Sequence, residues 1–128
     1  WDAGYLADVA AGGLAVGVNF PLAEAAKALE LAENSRADFI GLDMRCSELA
    51  GLESRKDVLL GVVDGARIGV EPPQQIVSSV EKSLSRSDFR GIYIGPSDRL
   101  SDVPFEQGIA KIRSLSIASE QLSLRGVV

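Results

Sequence analysis

Four stretches of mostly apolar residues, each ending in polar residues or a turn, divide the chain. The clearest is Val58–Val63, where five apolar residues surround Gly61 before the Asp64-Gly65 pair. An uninterrupted apolar run of this length is typical of a strand buried on both faces, although a buried helical segment has the same pattern. Because parallel strands are commonly buried on both faces, the run predicts a parallel sheet.

The same unit, a strand followed by a helix, recurs along the chain. Strands are predicted at 14–20, 37–44, 57–64 and 91–95. The helices are predicted from Pro21, over 47–54, from Pro72 and from Pro104. The core side is predicted to be Ile76, Val77, Val80 and Leu84 in the third helix and Ile109, Ile112, Leu115 and Ala118 in the fourth. A further short helix is predicted within 1–13. This alternation predicts one α/β domain over residues 1–128, built from four parallel strand-helix units.

The length of the chain favours half of a closed barrel. A complete TIM-type (β/α)8 barrel needs about 250 residues, and this chain has 128. Units five to eight of such a barrel are therefore predicted, and the alternative is an open four-stranded doubly wound parallel sheet. A lone half-barrel exposes strand edges and one sheet face, so a homo-oligomer or docking onto a missing half-barrel is expected.

Composition narrows the classes of partner. The net charge is −5, and we find no basic stripe, so nucleic acid is not an expected partner. No apolar segment reaches the ~18 residues of a membrane span, so no membrane role is expected. The chain has no histidine and one cysteine, Cys46, which we interpret as a small buried apolar group in a cytoplasmic protein. Since the sequence opens at Trp1 without an initiator Met, a trimmed or partial chain is expected.

Polar side chains stand where the predicted strands end. Parallel strands bring their carboxyl ends to one edge, so these groups are expected to converge there. Asp43 and Asp64 are the candidate catalytic residues. The candidate substrate-binding residues are Asn19, Arg67, Ser97, Asp98 and Arg99. Guanidinium groups suit a carboxylate or phosphate of a ligand.

Two other interpretations of these residues stay open. Asp43, Asp64 and Asp98 with the Asn19 amide form a set of hard oxygen ligands, which suits magnesium, manganese or calcium better than zinc. The chain would then be an enzyme that uses a hard metal ion bound by the strand-end carboxylates. Alternatively, the residues have structural roles: Asn19 caps the next helix, Asp43 and Asp64 cap or close turns, and Ser97 and Asp98 order their loop. In this interpretation the arginines pair with neighbouring Asp side chains.

Three segments carry a resemblance to a known family. Gly61-Val62-Val63-Asp64-Gly65-Ala66-Arg67 with Glu71-Pro72-Pro73, the stretch from Gly91 to Leu100, and Ala37 to Asp43 resemble late strands of the cobalamin-independent methionine synthase family and its uroporphyrinogen-decarboxylase-like relatives. The resemblance covers most of the chain and implies a methyltransferase barrel that acts on a thiol such as homocysteine. It also implies a small thiol or folate-like ligand.

The zinc ligands of that family are not matched. Members hold zinc with a His-x-Cys pair after the first of these strands, a carboxylate after the second and a Cys after the fourth. The first position here reads Val18-Asn19-Phe20-Pro21, and Asp98 stands at the Cys position. Only Asp43 keeps a matching carboxylate. The segment Gly61–Arg67 resembles the zinc-free amino-terminal barrel of long methionine synthases equally well, so this chain alone is not expected to transfer methyl groups.

Overall fold

A computed structural model describes residues 12–20, 23–45 and 48–128. Its elements are β1 (Gly17–Phe20), α1 (Ala25–Glu33), β2 (Phe39–Asp43), β3 (Glu53–Val63), α2 (Pro73–Leu84), β4 (Asp88–Pro96), a 3-10 turn (Leu100–Asp102) and α3 (Phe105–Leu124). Most of the predicted amino-terminal helix, Pro21 and Cys46 lie outside the described residues. Across the described ranges, no helix is long and apolar enough to cross a membrane.

The four strands form one parallel sheet in chain order, β1-β2-β3-β4. This confirms the predicted α/β class and the parallel pairing. A doubly wound sheet reverses its strand order at a switch point. The four described strands show no such reversal, so their order does not match the doubly wound alternative.

The helices cover one face of the sheet. The register places Ile40, Val58 and Ile92 in one row and Leu42, Leu60 and Ile94 in the next. One core cluster packs α1 on the first row, while a second packs α2 and α3 around Ile94 and Val63. Fully burying such a side chain stabilises the fold by about 1.5–3 kcal/mol. The predicted core side of α2 is confirmed, since Ile76, Val77 and Val80 are buried.

The opposite face of the sheet alternates large side chains with glycine. Asn19 lies over Gly41 of the neighbouring strand so closely that a Cβ there would collide with the Asn19 amide. Phe39 is 37% exposed and Tyr93 is 59% exposed on this face. None of the described helices covers these two rings, so the face is open over the part of the chain that the structure describes.

The second predicted unit differs from the others. The helix predicted over 47–54 is wrong, because β3 already begins at Glu53 and the described residues between β2 and β3 form turns and irregular structure. Glu53 and Ser54 pair with Asp88 and Phe89 of β4. Glu53 and Ser54 are polar because this end of β3 extends past the apolar core, so the sequence shows no apolar run that would predict a strand here.

The predicted core side of α3 is shifted. Ile112 is 51% exposed, whereas Lys111 is fully buried. Ala118 is buried as predicted, and the rest of the buried face is formed by Gly108, Lys111, Ser114 and Leu122. The shift arises because Lys111 turns inward to contact the loop that follows β3. The spacing of apolar residues along a helix does not predict that a lysine points inward.

Candidate functional site

Two carboxylates lie at the carboxyl ends of the central strands, as predicted. Asp43 is the last residue of β2, and Asp64 directly follows β3. The Arg45 guanidinium joins them. Its Nε and Nη2 donate to the two Asp43 oxygens at 3.0 and 2.7 Å, and its Nη1 donates to Asp64 Oδ1 at 2.6 Å. The structure therefore brings both candidate catalytic residues onto one cation that the sequence analysis did not single out.

Burial makes Arg45 necessary to this arrangement. Asp43 is 1% exposed, and a buried carboxylate is costly unless it is paired and hydrogen-bonded. The two parallel N–H bonds from Arg45 are the strong, fork-shaped kind. The Asp43 hydrogen bonds, more than any other contact, raise the pKa of Arg45 further above its usual range. Arg45 therefore stays charged and holds the two strand ends together.

Both carboxylates also close local turns. The Arg45 backbone N–H donates to Asp43 Oδ1 at 2.9 Å, and the Ala66 N–H donates to Asp64 Oδ1 at 2.9 Å. These contacts confirm the turn-closing interpretation for both residues. Burial raises the pKa of Asp64, but the Ala66 N–H and the Arg45 and Arg67 guanidinium groups together hold it below its usual value. Asp64 is thus ionised near neutral pH, which disfavours a role as a general acid.

A buried ion pair fixes the loop that follows β3. Glu71 Oε1 accepts the Asp64 backbone N–H at 2.9 Å, and Glu71 Oε2 pairs with Lys111 Nζ at 2.9 Å. Lys111 also donates to the Gly69 carbonyl. Lys111 is fully buried, so the pair anchors α3 to both ends of this loop. The sequence pattern gave no indication of this contact because the two partners lie 40 residues apart.

The loop after β4 has the predicted ordering role. Ser97 is 1% exposed, and its backbone N–H donates to the Val63 carbonyl at 2.8 Å. A Cβ at Gly61 would lie 2.6 Å from Ser97 Cα, so only glycine fits there. Asp98 Oδ1 accepts the Arg99 N–H at 2.7 Å. Ser97 Oγ accepts the Gly65 backbone N–H at 3.4 Å, so both side chains order backbone at the edge of the sheet.

The arginine candidates differ from each other. Arg67 Nε lies 3.3 Å from Asp64 Oδ2, which confirms the predicted pairing with a neighbouring Asp. Its side chain is 85% exposed, so most of its donors face solvent. Arg99 makes no ion pair with another residue of the described ranges. Asn19 lies on β1 and does not cap α1, because α1 begins at Ala25. A ligand-binding role for these three residues stays a prediction.

The residues at this edge do not fit a zinc site. Zinc prefers sulfur and nitrogen ligands, whereas the side chains at this edge are an amide and carboxylates, with Asp43 already bound to Arg45. Across the described residues, no group of three or more His, Cys, Asp or Glu side chains is placed to hold a metal ion. Arg45 supplies the positive charge that magnesium or manganese would supply between Asp43 and Asp64.

Comparison with known proteins supports the fold. No protein-family model matches the chain, and no curated protein matches it. Among solved structures, the chain is similar to a B12-independent methionine synthase from Shewanella sp. W3-18-1, solved in complex with selenomethionine, with a TM-score of 0.73 and 16% sequence identity. The match covers 96% of this chain and 46% of that protein. At this identity the likeness shows the fold, and the chain spans less than half of that protein's length.

Proposed function

We propose that the chain is half of a (β/α)8 barrel that completes its inner face by docking against another half. The four strands in unbroken order, with helices on one face, support this arrangement. So does the similarity to 46% of a methionine synthase chain. The observation that carries the proposal is that the inner face, which is the face of the sheet opposite the helices, is open. Tyr93 on this face is 59% exposed.

The family reaction is proposed only for a completed barrel. The resemblance in sequence and the fold similarity both suggest methyl transfer to a thiol such as homocysteine, with a small thiol or folate-like ligand at the strand ends. In this chain the segment Val18-Asn19-Phe20-Pro21 stands where the family has its His-x-Cys pair, Asp98 stands where it has Cys, and Asp43 is bound to Arg45. We therefore infer that the isolated chain acts as a binding and assembly module and does not transfer methyl groups.

Self-association tests the docking proposal. In the isolated chain, the partner available to cover the inner face is a second copy, so sedimentation is expected to show dimers or larger species. Tyr93→Asp places a charge on the inner face and is expected to shift the chain towards monomer. Ile112→Asp is the matched control, because Ile112 is similarly exposed at 51% but lies on α3. A wild-type chain that stays monomeric at high concentration contradicts the proposal.

Metal analysis and a methylation assay test the catalytic part. The purified chain is expected to bind zinc substoichiometrically and to leave homocysteine unmethylated. Tight binding of one zinc ion per chain, together with methylation of the thiol by the isolated chain, contradicts the inference.

A further inference from the structure

A groove of about 880 Å³ runs along the helix-covered side of the sheet, between α2 and the β2–β3 connection. Its floor includes the apolar side chains of Met44, Leu49 and Val62. All three pack against the core, and Leu49 is only 2% exposed. Met44 and Val62 are only partly buried, so these two side chains form the accessible apolar surface of the groove floor.

The groove lies where a strand-helix fold places a helix. Parallel neighbours such as β2 and β3 are usually joined by a crossover helix that covers them. The described residues of this connection, 44–45 and 48–52, contain none. Instead, α1 packs on β2 and β3, while α2 packs on β3 and α3. A helix 10–12 Å across occupies roughly 400–600 Å³ per turn, so the groove has room for about two turns.

The wall formed by α2 is basic. Ser79, Lys82 and Ser83 line it on one face of α2, and Arg86 lines it from the turn that follows the helix. Lys82 and Arg86 are exposed and form no ion pair with any residue of the described ranges. Among the lining residues that the structure describes, one is an acid, Glu48. This wall contrasts with a chain whose net charge is −5.

We propose that the groove binds an amphipathic helix of a partner protein, with the apolar face of the helix on Met44 and Val62 and its acidic residues beside Lys82 and Arg86. Helices commonly bind grooves in this way, through apolar side chains spaced one turn apart. The charge of the wall selects an acidic helix over a basic one. This site is on the outer face of the sheet and does not depend on docking of a second half-barrel.

Peptide binding to the full chain tests the proposal. The probe is a labelled helical peptide of roughly 14 residues, about four turns, with Leu on one face and Glu on the other. A second peptide carries Lys in place of Glu. Fluorescence anisotropy is expected to show saturable binding of the acidic peptide, at least about tenfold tighter than of the basic peptide. Because the chain itself is acidic, general attraction works against this preference, which makes it diagnostic.

Charge reversal locates the site. Lys82→Glu with Arg86→Glu is expected to weaken binding of the acidic peptide at least about tenfold. The matched control, Arg36→Glu with Arg113→Glu, makes the same change in net charge at exposed residues outside the groove and is expected to leave binding unchanged. The urea midpoint of each variant verifies its folding.

Three outcomes overturn the proposal. The first is equal binding of the acidic and basic peptides by the wild-type chain. The second is equal loss of binding in the groove variant and in the control variant. The third is a wild-type dimer that only the Lys82 and Arg86 variant converts to monomer, since a second copy of the chain then occupies the groove.

Discussion

The two faces of the sheet are built from the same strands but differ in what covers them. On the helix-covered face, Val58 and Leu60 are fully buried beneath residues of the same chain. On the inner face, Leu59 and Tyr93 lie side by side in the register, and Tyr93 is largely exposed. Apolar area contributes to stability only when it leaves water. The helix-covered face therefore stabilises this chain, while the inner face contributes fully only when another surface covers it.

The largest expected effect separates the two faces with neighbouring residues of one type. Leu60→Ala removes a fully buried side chain and is expected to lower the free energy of unfolding by about 2–5 kcal/mol. Leu59→Ala, on the open face, is expected to lower it by about 1 kcal/mol or less. Urea unfolding at low protein concentration measures both. If the two variants lose equal stability at low protein concentration, the inner face is already covered in the monomer. If the loss for Leu59→Ala grows with protein concentration, the result supports docking through this face.

A smaller effect is expected where α3 meets the loop after β3. Lys111→Met leaves the Glu71 carboxylate without its buried cation and the Gly69 carbonyl without its donor. We expect a loss of about 1–3 kcal/mol in the free energy of unfolding, because unsatisfied buried polar groups are costly. The double variant with Glu71→Gln removes the uncompensated charge and is expected to recover part of that loss. If Lys111→Met and the double variant are equally stable, the ion pair does not anchor the loop.

The parts of the fold that the sequence predicts are those with a local pattern. The apolar runs locate β2, the core of β3 and β4, and the spacing of Ile76, Val77 and Val80 predicts the buried side of α2. The start of β3 was not predicted, because Glu53 and Ser54 are held by pairing with β4, a partner distant in sequence. Local periodicity contains no information about such a partner.

The site shows the same limit. The positions of Asp43 and Asp64 follow from where strands end, so the sequence predicts them. Arg45 follows β2 by two residues and is not among the predicted site residues, although an Arg beside a buried Asp is a recognisable signal for an ion pair. Lys111 offers no such signal, since its partner Glu71 is distant in the chain. Charges that satisfy one another across the fold are visible only in three dimensions.

The smallest expected effect comes from protonation of Asp64. Its pKa is depressed in the folded state. Its contribution to the free energy of unfolding is therefore fully present above the unfolded-state pKa of about 3.9 and is lost as the pH falls through the folded-state pKa. Asp64→Asn is expected to lower the free energy of unfolding by about 0.5–1.5 kcal/mol at pH 7, with the difference from wild type shrinking as the pH falls below about 4.

Asp102→Asn is the matched control for this measurement. Asp102 is exposed, and within the described part of the chain its side chain accepts a hydrogen bond only from the neighbouring Ser101 hydroxyl. Its effect is expected to stay within about 0.5 kcal/mol at pH 7. Urea unfolding at several pH values compares the three proteins. A wild-type advantage over Asp64→Asn that persists undiminished at the lowest pH contradicts the assignment, because the neutral carboxyl group has lost its attraction to Arg45. Asp43, Arg45 and Asp64 would then be held together by hydrogen bonding and packing. The helix-covered face is also held by packing, so charge would not distinguish these strand ends from that face.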